Sequence, residues 1–181
     1  MEAKNVETIS IDKKSPYLRQ VIALGDQSHA TVGFLPEQAF NDYVLMSIKP
    51  IYAEFIKNGE KTVELRRVLP KIKYGDVIVV YETAPVQRIT MTCTVKGILS
   101  CEPHELWRDA RQQACVDYES FEKYFQGKDI ANGIQMGNVK SLSRPLKLDE
   151  VIGTRHAPQS YCYLREKEIE QLLQALKDTC L

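Results

Sequence analysis

Apolar residues fall along this chain in two rhythms, one of period two and one of period three to four. The run VIVVY at 77–81 is the strongest strand signal, continuous enough to be buried on both faces. At 89–99, Thr90, Thr92, Thr94 and Lys96 alternate with Met91, Cys93 and Val95, the pattern of a half-buried strand. Residues 44–48, 62–67, 134–142 and 161–164 read as further strands, and Gly137 marks a bulge or a close approach. Helical spacing takes over at 51–58, where Tyr52, Phe55 and Ile56 share a face behind Pro50 and Gly59 supplies the stop. Pro103 opens a helix over 104–114. Tyr118, Phe121, Tyr124 and Phe125 form the face of another over 117–125. The segment 166–177 predicts a closing amphipathic helix with the stripe Ile169, Leu172, Leu173 and Leu176. Residues 144–145 and 149–154 are expected to be connecting chain. Several strands with interspersed helices, and no regular βαβ alternation, predict an α+β fold built as a small mixed barrel.

The first 43 residues follow a different pattern. Residues 1–15 are polar and charged. Strands are expected at 19–24 and 31–35, with a turn at Gly25-Asp26 and a short helix over 36–43 behind Pro36. The stretch VIALGDQSHATVGFLPEQAF resembles the opening of some GNAT-type acyltransferases, but no glycine-rich turn follows that would hold a CoA pyrophosphate. The segment 1–43 is therefore read as an extension packed on a main domain of 44–181.

Composition narrows the function classes. Of 181 residues, 44% are apolar and 27% charged, enough for a sizeable core. Lysine plus arginine and aspartate plus glutamate each total 24, so any nucleic-acid binding must rest on a local patch. No apolar run reaches the roughly 18 residues of a membrane span, so no membrane partner is expected. The 5 cysteines form no CxxC pair, which fits free thiols in a cytoplasmic setting. His29, His104 and His156 are scattered, and neither a metal nor a cofactor is expected. Trp107, the only tryptophan, is expected to pack between elements. GxSxG, GxxxxGKS and GxGxxG are all absent.

What chemistry the chain offers concentrates at 47–67, SIKPIYAEFIKNGEKTVELRR. In an extended strand Lys61, Val63, Leu65 and Arg67 share one face, and Thr62, Glu64 and Arg66 the other. Lys61, Thr62 and Glu64 are the one catalytic set that can be assembled. A lysine beside a carboxylate can act as a base, and a threonine hydroxyl can be activated or orient a water. The plain alternative is a charge-laced edge strand that resists aggregation. Lys49, Lys57, Lys61, Arg66, Arg67, Lys71 and Lys73 make 49–73 the basic part of the chain, with Tyr52 and Tyr74 able to stack on bases. Tyr81 ends the apolar run, and Gln159, Ser160 and Tyr161 form a polar loop that can read a base edge or simply turn the chain.

Gly59, Lys61, Glu64 and Arg66 match the motif GxKxxExR, and the stretch 47–67 resembles the signature of the ASCH domain, a PUA-like fold. The likeness continues through KYGDVIVVYETAPVQ, the ELW helix, DYESFEKYF, MGNV and PQSYCYL, from about 44 to 176. It implies a PUA-like β-barrel with flanking helices and a cleft walled by the motif strand. PUA-like domains commonly bind RNA. Some small ASCH proteins deacylate N4-acetylcytidine with a Lys, Thr and Glu set, and others act as nucleases on RNA. The deacylase lysine corresponds to Lys61, its threonine falls at Glu64, and its glutamate falls near 112–116, where no carboxylate occurs.

Three functions follow. The first is a binding module for RNA or a nucleotide-like ligand, possessing a regulatory role, with Lys49, Lys61, Glu64, Arg66, Arg67, Tyr81, Gln159, Ser160 and Tyr161 as the ligand-binding set. The alternative is a small hydrolase, an amidohydrolase on an acylated nucleoside or a ribonuclease, with Lys61, Thr62 and Glu64 catalytic. The third is an interaction protein whose extension binds a partner.

Overall fold

A computed structural model describes residues 41–153 and 156–178, which fall within one unit, Phe40–Leu181. The expectations for 1–40 lie outside the described residues. Asn41 and Asp42 are non-helical, and Tyr43 already belongs to the first strand, so the expected helix does not reach 43.

Among the described residues, six strands and five helices follow in the order β1 (Tyr43–Ile48), α1 (Pro50–Lys57), β2 (Val63–Arg66), β3 (Val77–Glu82), β4 (Arg88–Cys101), α2 (Pro103–Ala114), α3 (Tyr118–Phe125), β5 (Ala131–Leu146), α4 (Asp149–Ile152), β6 (Tyr161–Tyr163) and α5 (Glu166–Asp178). The strands form one sheet in the order β2-β5-β4-β3-β1-β6. Only β1 and β3 run parallel; every other neighbouring pair is antiparallel. Arg66 in β2 nevertheless bonds to Ser47 in β1 and Ser160 just before β6. The two ends of the sheet therefore meet, and the sheet is curled into a half-barrel.

Each segment has a local cause. Pro50 and Pro103 stand at the first positions of α1 and α2, where a missing N–H costs nothing. Asp117 caps α3 by accepting from Ser120 N at 2.8 Å. Past α1, Gly59 takes φ 79°, the left-handed turn that starts the chain toward β2. β3 is buried on both faces as its apolar run predicts: Ile78 and Val80 enter one core cluster, Val79 and Tyr81 another.

Three clusters make up the core. Inside the curl, Val44, Met46, Ile78, Val80, Met91, Cys93 and Ile134 pack against Ala53 and Ile56 of α1, so α1 plugs the half-barrel. On the other face of β1 and β3, Leu45, Val79 and Tyr81 meet Val151 and Ile152 of α4 and Leu172 of α5. Outside β2, Val63 and Leu65 meet Leu106 and Ala110 of α2 and Phe121 and Phe125 of α3. Trp107 packs edge-on to Tyr118 at 5.2 Å and against Phe121 at 5.0 Å, joining α2 to α3.

Several expectations shift. The strand expected at 134–142 runs the full length of β5 and includes Arg144 and Pro145. β2 pairs only with residues 132–135 of β5, leaving that edge open where Pro145 lies, and the β4 register jumps from Ser141 to Leu146, so Pro145 has no ladder partner on either side. Gly137 itself is paired, with Thr94, and is a close-approach site against Lys96; the bulge falls just past it, at 138–139, where Asn138 takes φ 49° and Thr92 pairs with Lys140. Residues 149–152 form a short helix rather than plain connecting chain. In α5, Leu172 is buried but Leu173 is 40% exposed, and Ala175 packs with Ile169 and Leu176 instead.

Gly133 shows how tightly α2 presses on this sheet. A Cβ there would lie 2.9 Å from Val63 Cγ1 and 3.2 Å from Leu106 Cδ1. Gly133→Ala is expected to destabilise the fold by about 1–3 kcal/mol through overpacking, read as a lowered urea midpoint with an unchanged m-value.

Candidate functional site

β2 follows the alternation that its sequence sets. Val63 and Leu65 face α2 and α3, which turns Glu64 and Arg66 to the inside of the curl. Both are buried there, as is Lys61. Lys61 does not follow the strand rule. It precedes β2, and its ammonium reaches Glu64 Oε2 at 3.4 Å instead of sharing Val63's face. It also donates to Val63 O at 2.9 Å and to Ala114 O at 2.6 Å, and stands 5.2 Å from the Tyr52 ring centroid. Ala114 ends α2, so the lysine meets the negative end of that helix.

Arg66 completes the cluster. Its Nη2 lies 3.0 Å from Glu64 Oε1 and donates to Ser47 O at 3.1 Å. Its Nη1 donates to Ser160 Oγ at 3.0 Å. Arg66 Nε is buried and has no hydrogen-bond partner. The loop is fixed to β1 as well, since Ser47 Oγ donates to Pro158 O at 2.6 Å and Ser47 N to Ser160 O at 2.9 Å. Glu64, with a side chain 11% exposed, thus holds one cation on each carboxylate oxygen.

The charge of Glu64 is felt across the interior. Burial first, then Glu64, pushes the Cys93 thiol from 9.0 to about 12. Tyr52 is raised by burial, then by Asp117 and Glu64. Asp117 itself is held below the usual carboxylate range, chiefly by its bonds from Ser120.

The other sequence-derived candidates are distributed unevenly. Ser160 bonds to Arg66, and Tyr161 packs on the core cluster inside the curl. Gln159 is exposed beside them. Lys49 and Arg67 are exposed, two residues beyond Ser47 and one beyond Arg66. Thr62 does not join Lys61 and Glu64: it lines a groove with Gln113 and Gln135 on the α2 side of β2. Tyr81 packs with Leu45 and Ile89 in the cluster beneath α4 and α5. Alternation along β3 places it there, on the face opposite Val80. Sequence reasoning missed the Ala114 carbonyl and Asp117. A backbone carbonyl leaves no residue signal, and Asp117 read only as the start of a helix. Among the described residues, no group of three or more His, Cys, Asp and Glu could hold a metal, and no helix is long and apolar enough to cross a membrane.

A curled mixed half-barrel, plugged by a helix and closed over a buried charged cluster, is the PUA-like class of fold. The chain belongs to the ASCH domain family, which matches residues 46–172. It is 28% identical over 132 residues to an ASCH domain-containing ribonuclease from Zymomonas mobilis, covering 71% of this chain and 88% of that protein. The crystal structure of ASCH from Zymomonas mobilis superposes with a TM-score of 0.69 at 27% identity, over 73% of this chain and 94% of that one. Human THYN1, solved in complex with DNA containing 5-methylcytosine, shares the fold at a TM-score of 0.50 and 11% identity, over 76% and 98% of the two chains.

Two outcomes test this account. Arg66→Lys removes the fork that joins Glu64, Ser47 and Ser160, and is expected to cost on the order of 3 kcal/mol in urea unfolding. The raised Cys93 thiol stabilises the fold fully below its ordinary value of 9.0, and that stability is lost as pH rises through the window to about 12. Unfolding free energy measured across that window should fall, and Cys93→Ala should flatten the slope.

Proposed function

We propose that this domain binds RNA, or a nucleotide-like ligand, in the cleft walled by Lys61, Glu64 and Arg66. One observation carries the reading: two cations and a single carboxylate are held together out of water, leaving one positive charge for an anionic ligand to meet. Arg66 Nε, buried without a partner, adds an unused donor. Lys49 and Arg67 flank the cluster from the surface, where they suit the phosphates on either side of a bound nucleotide. Gln159, Ser160 and Tyr161 form the facing wall, with an amide, a hydroxyl and a ring for the base. Cys93, Cys101 and Cys115 are free thiols, which suits a reducing compartment, and we place the protein in the cytoplasm.

The likeness to a ribonuclease favours a second reading, cleavage of the bound RNA. Lys61 is badly placed to be its base, since its ammonium is committed to two carbonyls and a carboxylate. Thr62 looks into a different groove. Glu64, the most exposed of the three charged groups, is the one that would take a proton in such a reaction.

Fluorescence anisotropy with a labelled single-stranded RNA, repeated over a salt series, separates these readings when product electrophoresis runs beside it. Lys49→Glu and Arg67→Glu should each weaken binding and lower the salt slope by about one, with unfolding midpoints unchanged. Absence of RNA binding by the wild type would overturn the proposal. Cleavage by the wild type that is lost in Glu64→Gln, with binding kept, would establish the second reading.

A further inference from the structure

We propose that the groove on the α2 side of β2 is a second nucleotide subsite, taking one further nucleotide of the same RNA strand. The inference rests on the RNA-binding reading above and adds a contact outside the cleft.

The groove encloses about 370 Å³, and none of Lys61, Glu64 and Arg66 lines it. That volume suits a single nucleotide rather than a folded segment. Its lining includes Leu99, which is half-buried and offers an apolar surface to a ring, with the buried Val63 and Met136 beside it. Thr62, Gln113, Gln135 and Lys96 supply the polar groups. Two primary amides present donors and acceptors together, the combination that pairs with a base edge. Lys96 supplies the charge for a phosphate. Asp109 also lines the groove, but Arg108 holds it through two bonds of 2.7 and 3.1 Å.

Two glycines shape this lining. Gly97 stands opposite Gln135 in the β4–β5 ladder, and a Cβ there would collide with the Gln135 Oε1. A Cβ on Gly137 would lie 2.9 Å from Lys96 Cε and 3.0 Å from its Cγ. Both long polar side chains thus lie across glycines of the neighbouring strand. Just beyond, Lys96 Nζ stands 5.6 Å from the ring centroid of Tyr74, which is 71% exposed. An aromatic face left open beside a lysine is a platform on which the adjoining base can stack.

The test uses the full chain and a labelled single-stranded RNA of about twelve nucleotides. Lys96→Glu and Tyr74→Ala should each weaken binding on the order of tenfold. In the wild type, side-chain amide NMR signals of Gln113 and Gln135 should shift on adding adenosine or uridine monophosphate, and in Lys96→Glu they should shift far less. Tyr74→Ala removes only an exposed ring and keeps the measurement valid should Lys96→Glu fold poorly. RNA binding weakened by Lys49→Glu and Arg67→Glu but untouched by both groove variants, or Gln113 and Gln135 amides that stay still, would overturn the subsite and leave the cleft reading standing. No RNA binding by the wild type would overturn both.

Discussion

The guanidinium of Arg66 is where the two ends of this sheet are joined. In ladder order β2 and the β1–β6 pair are as far apart as six strands allow, yet one planar fork bonds to Glu64, the Ser47 carbonyl and Ser160. Such a group is costly to bury, and well-placed acceptors on Nη1 and Nη2 offset the loss of water there, while Nε is left without a partner. The curl of the sheet brings those acceptors to Arg66, and the bonds in turn tie the two ends of the curl together. Lys61 repeats the arrangement one turn of chain earlier, tying the approach to β2 to the last carbonyl of α2.

That arrangement gives β2 two distinct faces. Its apolar residues meet α2 and α3, while its charged residues face the interior beside α1 and the 156–160 loop. A four-residue strand therefore separates the buried charge cluster from the amide-lined groove. Alternation sets Val63 and Leu65 against Glu64 and Arg66, whereas Lys61 and Thr62, which precede the strand, do not follow it. The same alternation on β3 removes Tyr81 from the cleft.

The geometry also bears on chemistry within the family. Hydrogen bonds that hold Lys61 in place occupy the protons a base would need to exchange, so the lysine serves better as a fixed charge. Glu64 sits between the two cations and, at 11% side-chain exposure, is the least buried of the three. The lysine is thus held as a fixed charge by its two carbonyl partners and the carboxylate.

Much of the fold was legible along the chain because local physics sets it. Period-two and period-three-to-four patterns placed the strands and helices, prolines placed helix starts, and Gly137 marked a close approach. The GxKxxExR residues likewise singled out the segment that carries the buried charge cluster, since an unusual density of charge beside one strand needs a reason. Partners were another matter. Spacing put Lys61 and Glu64 on opposite faces, and only the chain's path before β2 brought them to 3.4 Å. Thr62, next to Lys61 in sequence, went to the far side of the strand. Pro145 looked like a break, and only the open edge of β5 allowed it inside a strand. Periodicity determines which face of an element is apolar, because it is a property of the backbone's own repeat. Which buried charges meet across that face depends on how distant segments close on one another, and only the tertiary structure decides it.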